Sequence, residues 1–190
     1  VKETIRHFVS RSAMDIDGLG PALINQLVDQ KIIKDFADLY YLKKEDLLKL
    51  ERMADKSSDN IIKAIENSKN RPLDNLIFAL GIRHVGIFVS QLLAEKINNL
   101  LDLEKFTPDD LMQIEGIGPI MAESIILFFQ QKENRALIEK LLNAGVNFSQ
   151  EKQTAEKQSL AGKQFVLTGT LENYTREEAK EIMEKKYYEY

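Results

Sequence analysis

Apolar residues recur at helical spacing through most of this chain. Leu23, Ile24, Leu27 and Val28 form one such set; Ile61, Ile62 and Ile65 form another. Val89, Leu92, Leu93 and Ile97 follow, and then Ile125, Ile126 and Phe129. Spacings of three and four put each set on one face of a helix, so the pattern predicts amphipathic helices with a shared core. Strand-like alternation is almost missing before residue 160. After it, Gln164–Thr168 is a short β-rich run stopped by Gly169. Thr175 and Glu178 then have the spacing of a capping box and predict a helix over Arg176–Lys185. Between the two regions, SQEKQTAEKQS at Ser149–Ser159 has no aliphatic residue beyond Ala155 and cannot pack a face. The pattern divides the chain into a helical body at 1–148, a linker at 149–159 and an α/β segment at 160–190.

The helical body is internally repetitive. IDGLGPALINQLV from Ile16, LERMADKSSDNII from Leu50, IRHVGIFVSQLLA from Ile82 and IEGIGPIMAESII from Ile114 align, with starts 34, 32 and 32 residues apart. The fifth position is Gly20, Gly86 and Gly118 in three repeats and Ala54 in the second. Positions twelve and thirteen are apolar in all four. Such a period means one supersecondary unit used repeatedly. The unit reads as helix, tight turn, helix. In the fourth repeat Thr107-Pro108-Asp109-Asp110 starts a short helix, Gly116 and Gly118 make the turn, and Pro119 opens the next helix, where its missing N–H costs nothing. One unit cannot bury its apolar face alone, so the repeats should pair, first with second and third with fourth.

The chemistry of such a turn favours phosphate. Glycines permit positive φ and let a ligand approach the backbone. Unpaired N–H groups at a helix N-terminus, aided by the dipole, attract anions. The predicted contacts are Gly18 and Gly20 in the first repeat and Gly116 and Gly118 in the fourth. In the third they are Gly81 and Gly86, with Arg83 at the tip of a longer hairpin. The second repeat has lost both glycines and reads as structural, with Arg52 and Lys56 offering side-chain contacts instead.

Composition narrows the field. The chain has 190 residues, 26 Lys+Arg against 30 Asp+Glu, and a net charge of −4, which argues against a bulk electrostatic grip on nucleic acid but not a localised one. The charge is spread: residues 1–148 carry 19 basic and 22 acidic residues. There is no cysteine, which excludes disulfides, thiolate metal sites and cysteine nucleophiles. The two histidines, His7 and His84, cannot build a metal site alone. Asp15, Asp17, Asp109 and Asp110 are expected to be helix caps rather than metal ligands or catalytic carboxylates. No apolar run approaches the roughly 20 residues a membrane helix needs, and no signal-peptide pattern opens the chain.

The hairpins resemble helix-hairpin-helix motifs, which bind duplex nucleic acid without sequence preference. Four in tandem, with HFVSRSAMDIDGLG ending at Gly20 and FALGIRHVG ending at Gly86, resemble the helix-hairpin-helix domain of bacterial NAD-dependent DNA ligases. The tail Leu160–Glu184 resembles the start of the BRCT domain that follows it there. The resemblance implies an all-α body of four helix-hairpin-helix repeats in two paired units, followed by a short, truncated α/β BRCT-like segment at 160–190. It implies a C-terminal portion of an enzyme that seals nicks in replication and repair, in the bacterial cytoplasm at the nucleoid. It implies that the parent uses NAD and magnesium, with zinc in a four-cysteine module. The KxDG motif that carries the adenylated lysine does not occur in this sequence. The portion is therefore expected to be inactive alone and to bind no NAD. Its expected partner is nicked duplex DNA, held by phosphates of both strands, with no membrane; a protein partner would be taken by the BRCT-like segment. Thr168 and Gly169 match a phosphate-facing turn of some BRCT domains, although a plain strand end is the simpler reading. The rival readings are another DNA-processing protein with tandem hairpins and a protein–protein scaffold.

Overall fold

The computed structural model describes residues 1–150, all of the helical body; the tail read as BRCT-like, with Thr168 and Gly169, and nearly all of the linker lie outside the described residues. Nine α-helices and two 3-10 turns make up this body, with no strand among the described residues beyond one isolated bridge between Asn99 and Ser149. The helices are α1 (Lys2–Val9), α2 (Pro21–Asp29), α3 (Lys44–Leu47), α4 (Asp55–Ser68), α5 (Leu73–Ala79), α6 (Ile87–Lys96), α7 (Pro108–Met112), α8 (Pro119–Gln130) and α9 (Lys132–Asn143). The four repeats are α1–α2, α3–α4, α5–α6 and α7–α8. Each long second helix carries one predicted apolar set: Leu27, Ile61, Leu93 and Ile125, at position twelve, are all buried.

The expected pairing is present in the packing. The Gly18 position in the first hairpin lies against Ile61 of α4, and the Gly116 position in the fourth lies against Leu92 and Phe88 of α6. Gln26 of α2 reciprocates by accepting a hydrogen bond from the Glu51 N–H in the second hairpin, at 2.9 Å. The first, second and fourth hairpin turns therefore rest on the second helix of their partners. One continuous core joins all four repeats. Phe8 stacks on Phe36 at a centroid distance of 4.4 Å, with Tyr40 edge-on at 6.2 Å. Burial pushes the Tyr40 hydroxyl up to about 12 despite its hydrogen bond with Ser68.

Polar contacts tie the two pairs together. Arg71 donates to the carbonyls of Ala13 and Arg11, and Asn75 donates to that of Ser12. A ring nitrogen of His7 bonds the Phe78 carbonyl at 2.7 Å. On another side, Lys140 of α9 binds both Asp35 and Asp38, and Tyr41 donates to the Lys140 carbonyl. Burial tends to raise the Asp38 carboxyl, but the Lys140 ammonium and the Lys34 and Asp35 amides outweigh it and hold it below the usual carboxylate value.

Candidate nucleic-acid interface

All four turns share one backbone form. In three, the fourth residue donates to the first: Met53 to Leu50, Val85 to Ile82 and Ile117 to Ile114. The third residue is left-handed in every repeat: Gly18 at φ +89°, Arg52 at +62°, His84 at +64° and Gly116 at +94°. A positive φ there is the mark of a type II turn. The fifth position behaves differently. Gly20, Ala54, Gly86 and Gly118 are N-caps with extended backbone, at φ −69°, −133°, −92° and −92°. The glycine freedom expected of the whole turn is thus needed at the third position only.

The fifth glycine is explained by space. A Cβ at Gly20, Gly86 or Gly118 would meet nothing within 4 Å. That leaves the backbone N–H of each approachable, and none of the three has a protein acceptor among the described residues. The helices that follow, α2, α6 and α8, carry no acidic residue in their first turns. These three hairpin ends combine a free amide, a helix dipole and no side chain in the way, an arrangement suited to an anion.

The second repeat is closed by contrast. Its Ala54 N–H donates to the Ser57 hydroxyl at 3.0 Å, and that hydroxyl bonds back to the Ala54 carbonyl at 2.9 Å. Asp55 opens α4 with a carboxylate, where an incoming anion would have to sit, and Lys44 binds both Asp55 and Asp59. The hydrogen bonds that Lys44 donates to Asp59 and then to Asp55 raise its ammonium above the ordinary value. This end carries its own anion.

Two family models match the chain: a SAM-like helix-hairpin-helix tandem over residues 10–67, and a helix-hairpin-helix motif over residues 75–138. The chain is 53% identical over 182 residues to a DNA ligase of Halothermothrix orenii, covering 95% of this chain and 27% of that protein. It is 51% identical to one of Thermoanaerobacter pseudethanolicus, covering 96% and 28%. A Syntrophus aciditrophicus DNA ligase is 50% identical over 184 residues, covering 97% and 27%. Over nearly its whole length the chain is similar to one part of these DNA ligases. It spans just over a quarter of the length of these relatives.

Around the four turns the predicted residues fall as follows. Gly18, Gly20, Gly116 and Gly118 lie in the first and fourth turns. Gly86 caps α6 in the third. Arg83 is exposed at the second position of that turn, and Lys56 is exposed in the first turn of α4. Gly81 lies apart from the turn register. It ends α5 at φ +66°, with the space of its missing Cβ facing His7 at 3.7 Å, so it shapes the helix exit. The third turn is therefore no longer than the others; His84 supplies its left-handed residue. Asp110 is a cap as expected, its carboxylate accepting from the Thr107 N–H and hydroxyl, which together hold it below the ordinary value. Asp15 is not a cap: it is left-handed itself, at φ 52°. No group of three or more metal-ligating side chains occurs among the described residues. No helix among them is long and apolar enough to cross a membrane.

Sequence reasoning missed Ser57. Its signal was an Ala at the cap followed three residues later by a hydroxyl, in the one repeat without glycine.

Proposed function

We propose that this segment grips duplex DNA without reading its sequence, through phosphates held by the backbone amides at Gly20, Gly86 and Gly118. The observation that carries this is the contrast among repeats: three hairpin ends keep a free N–H beneath open space, while the second spends its N–H on Ser57. Gly18 and Gly116 set the turns, and Arg83 adds a guanidinium for a neighbouring phosphate. Lys56 offers a weaker point charge beside the closed hairpin. Paired hairpins on one side would straddle a minor groove and touch phosphates of both strands. A chain of net negative charge can bind this way because each amide–phosphate bond contributes roughly 1.5–3 kcal/mol locally.

In the whole protein this grip would hold nicked duplex for an NAD-dependent ligase that seals breaks in replication and repair, in the cytoplasm at the nucleoid. NAD, magnesium and zinc belong to that larger reading, and no residue of the hairpins is assigned to them. The segment alone is expected to take no AMP from labelled NAD. The deciding test is titration of nicked and intact duplexes of several sequences across salt. Binding should be independent of sequence. Its log–log salt slope should be shallower than roughly −4 to −5, because fixed dipoles release fewer counterions than lysines do. A strong preference for one base sequence at equal length would overturn the reading.

A further inference from the structure

Large apolar side chains stand exposed beside the open hairpin ends of the second pair. Phe88 is 66% exposed and Ile120 is 67% exposed, the former in α6 and the latter in α8. Both occupy the seventh position of their repeat, two residues past Gly86 and Gly118. Phe88 also borders the neighbouring hairpin: its Cε1 lies 3.6 Å from where a Gly116 Cβ would be. The ring therefore starts two residues past the cap of its own hairpin and reaches the turn of the other hairpin of the pair. In the first pair the same position is Ala22 and Lys56.

An exposed phenylalanine gains nothing from water, and here it lies near hairpin ends suited to anions. On nucleic acid, what lies between one phosphate and the next along a strand, or between phosphates across a minor groove, is sugar. We propose that Phe88 and Ile120 seat against the deoxyribose edges of a minor groove, and that this apolar seat makes the second pair select DNA over RNA. The inference rests on the phosphate reading above. Its chemistry is distinct from it. Deoxyribose presents C–H to the ring, whereas the A-form minor groove is wide, shallow and lined with 2′-hydroxyls. Pressing an aromatic ring onto those hydroxyls strips them of water without giving them a partner.

The experiment compares the chain with its Phe88→Ala, Ile120→Ala and Phe88→Leu variants, on a DNA duplex and an RNA duplex of the same sequence, by fluorescence anisotropy across salt. Phe88→Ala should weaken DNA binding by about tenfold, as expected for losing one large apolar contact. RNA binding should change little, so the DNA-to-RNA ratio should fall by a similar factor. The salt slope should stay that of the parent chain, because no phosphate contact is lost. Ile120→Ala should act in the same direction, and Phe88→Leu should recover most of the ratio. Melting curves should coincide, since the ring is mostly exposed. An unchanged ratio in Phe88→Ala, with normal binding by the parent chain, would overturn the sugar seat and leave the phosphate reading standing. Failure of the parent chain to bind duplex DNA would overturn both. Sedimentation that finds a dimer dissolved by Phe88→Ala would assign the patch to a second copy of the chain and overturn the seat as well.

Discussion

The two pairs of hairpins have the same fold and opposite finish. Both rest a turn on the partner's second helix, and both use a left-handed third residue. The second pair keeps two free cap amides and places Phe88 and Ile120 beside them. The first pair keeps one, at Gly20, and closes the other with Ser57 and Asp55. The difference separates two demands on a single turn. The third position serves folding, because the chain must reverse there. The fifth position is free of that demand: in three turns its missing side chain opens the backbone outward, and that is where the proposed phosphate would sit.

The largest effect that could break this comparison is on binding. Gly20→Val, Gly86→Val and Gly118→Val keep an extended backbone that any residue adopts, so the melting temperature should shift little. Losing the one charge-assisted bond at a cap, at roughly 1.5–3 kcal/mol, should weaken binding by about 10- to 100-fold. Ala54→Val should leave affinity unchanged in the same titration. A folded Gly118→Val protein with normal affinity would sink the amide cradle.

Stability comes next, and here the third position should respond. Gly18→Ala forces a side chain into φ +89° and to within 2.7 Å of Ile61 Cγ1, whereas Gly116→Ala meets Leu92 Cδ1 at 3.1 Å. Strain at such positions costs about 1–3 kcal/mol, so chemical denaturation should place Gly18→Ala at the upper end and Gly116→Ala below it. Equal and negligible losses would mean that the turns do not depend on the left-handed residue.

A smaller change should convert one pair into the other. The triple substitution Ala54→Gly, Ser57→Ala and Asp55→Pro frees the cap amide, removes the resident carboxylate and copies the Gly-Pro junction of the first and fourth repeats. Duplex affinity should rise by about tenfold, or roughly 1.5 kcal/mol, in line with one added amide–phosphate bond at the low end of its range. No gain would show that the second hairpin faces away from the nucleic acid.

The smallest effect concerns the latch between α9 and Asp38. Because the folded carboxyl titrates below its ordinary value, its contribution to stability is in place above 3.8 and fades as pH falls through the lowered folded value. Asp38→Asn should therefore cost up to about 1 kcal/mol at neutral pH, and the gap from the parent should close as pH falls through the lowered folded value. Denaturation curves at a series of pH values read this directly.

The repeat, the pairing and the four long second helices were legible in the sequence because burial imposes a period on Leu27, Ile61, Leu93 and Ile125. Helix α9 was also readable, from Ile138 and Leu141, but it falls outside the repeat and was not singled out. The backbone of the second and third turns was not readable. Arg52 and His84 take positive φ because the packed helices on either side leave the chain no other path, and no local preference of arginine announces that. Nor could composition say why the fifth glycine matters. Its reason is empty space above the peptide, which exists only once the helices are placed.

A contact surface made of main-chain N–H has an experimental consequence. The amide has no proton to lose in the physiological range and no side chain to acetylate, methylate or phosphorylate. Alanine scanning of the charged residues would pass over Gly20, Gly86 and Gly118 and report a nearly silent surface. The informative scan is the reverse one, in which side chains are added.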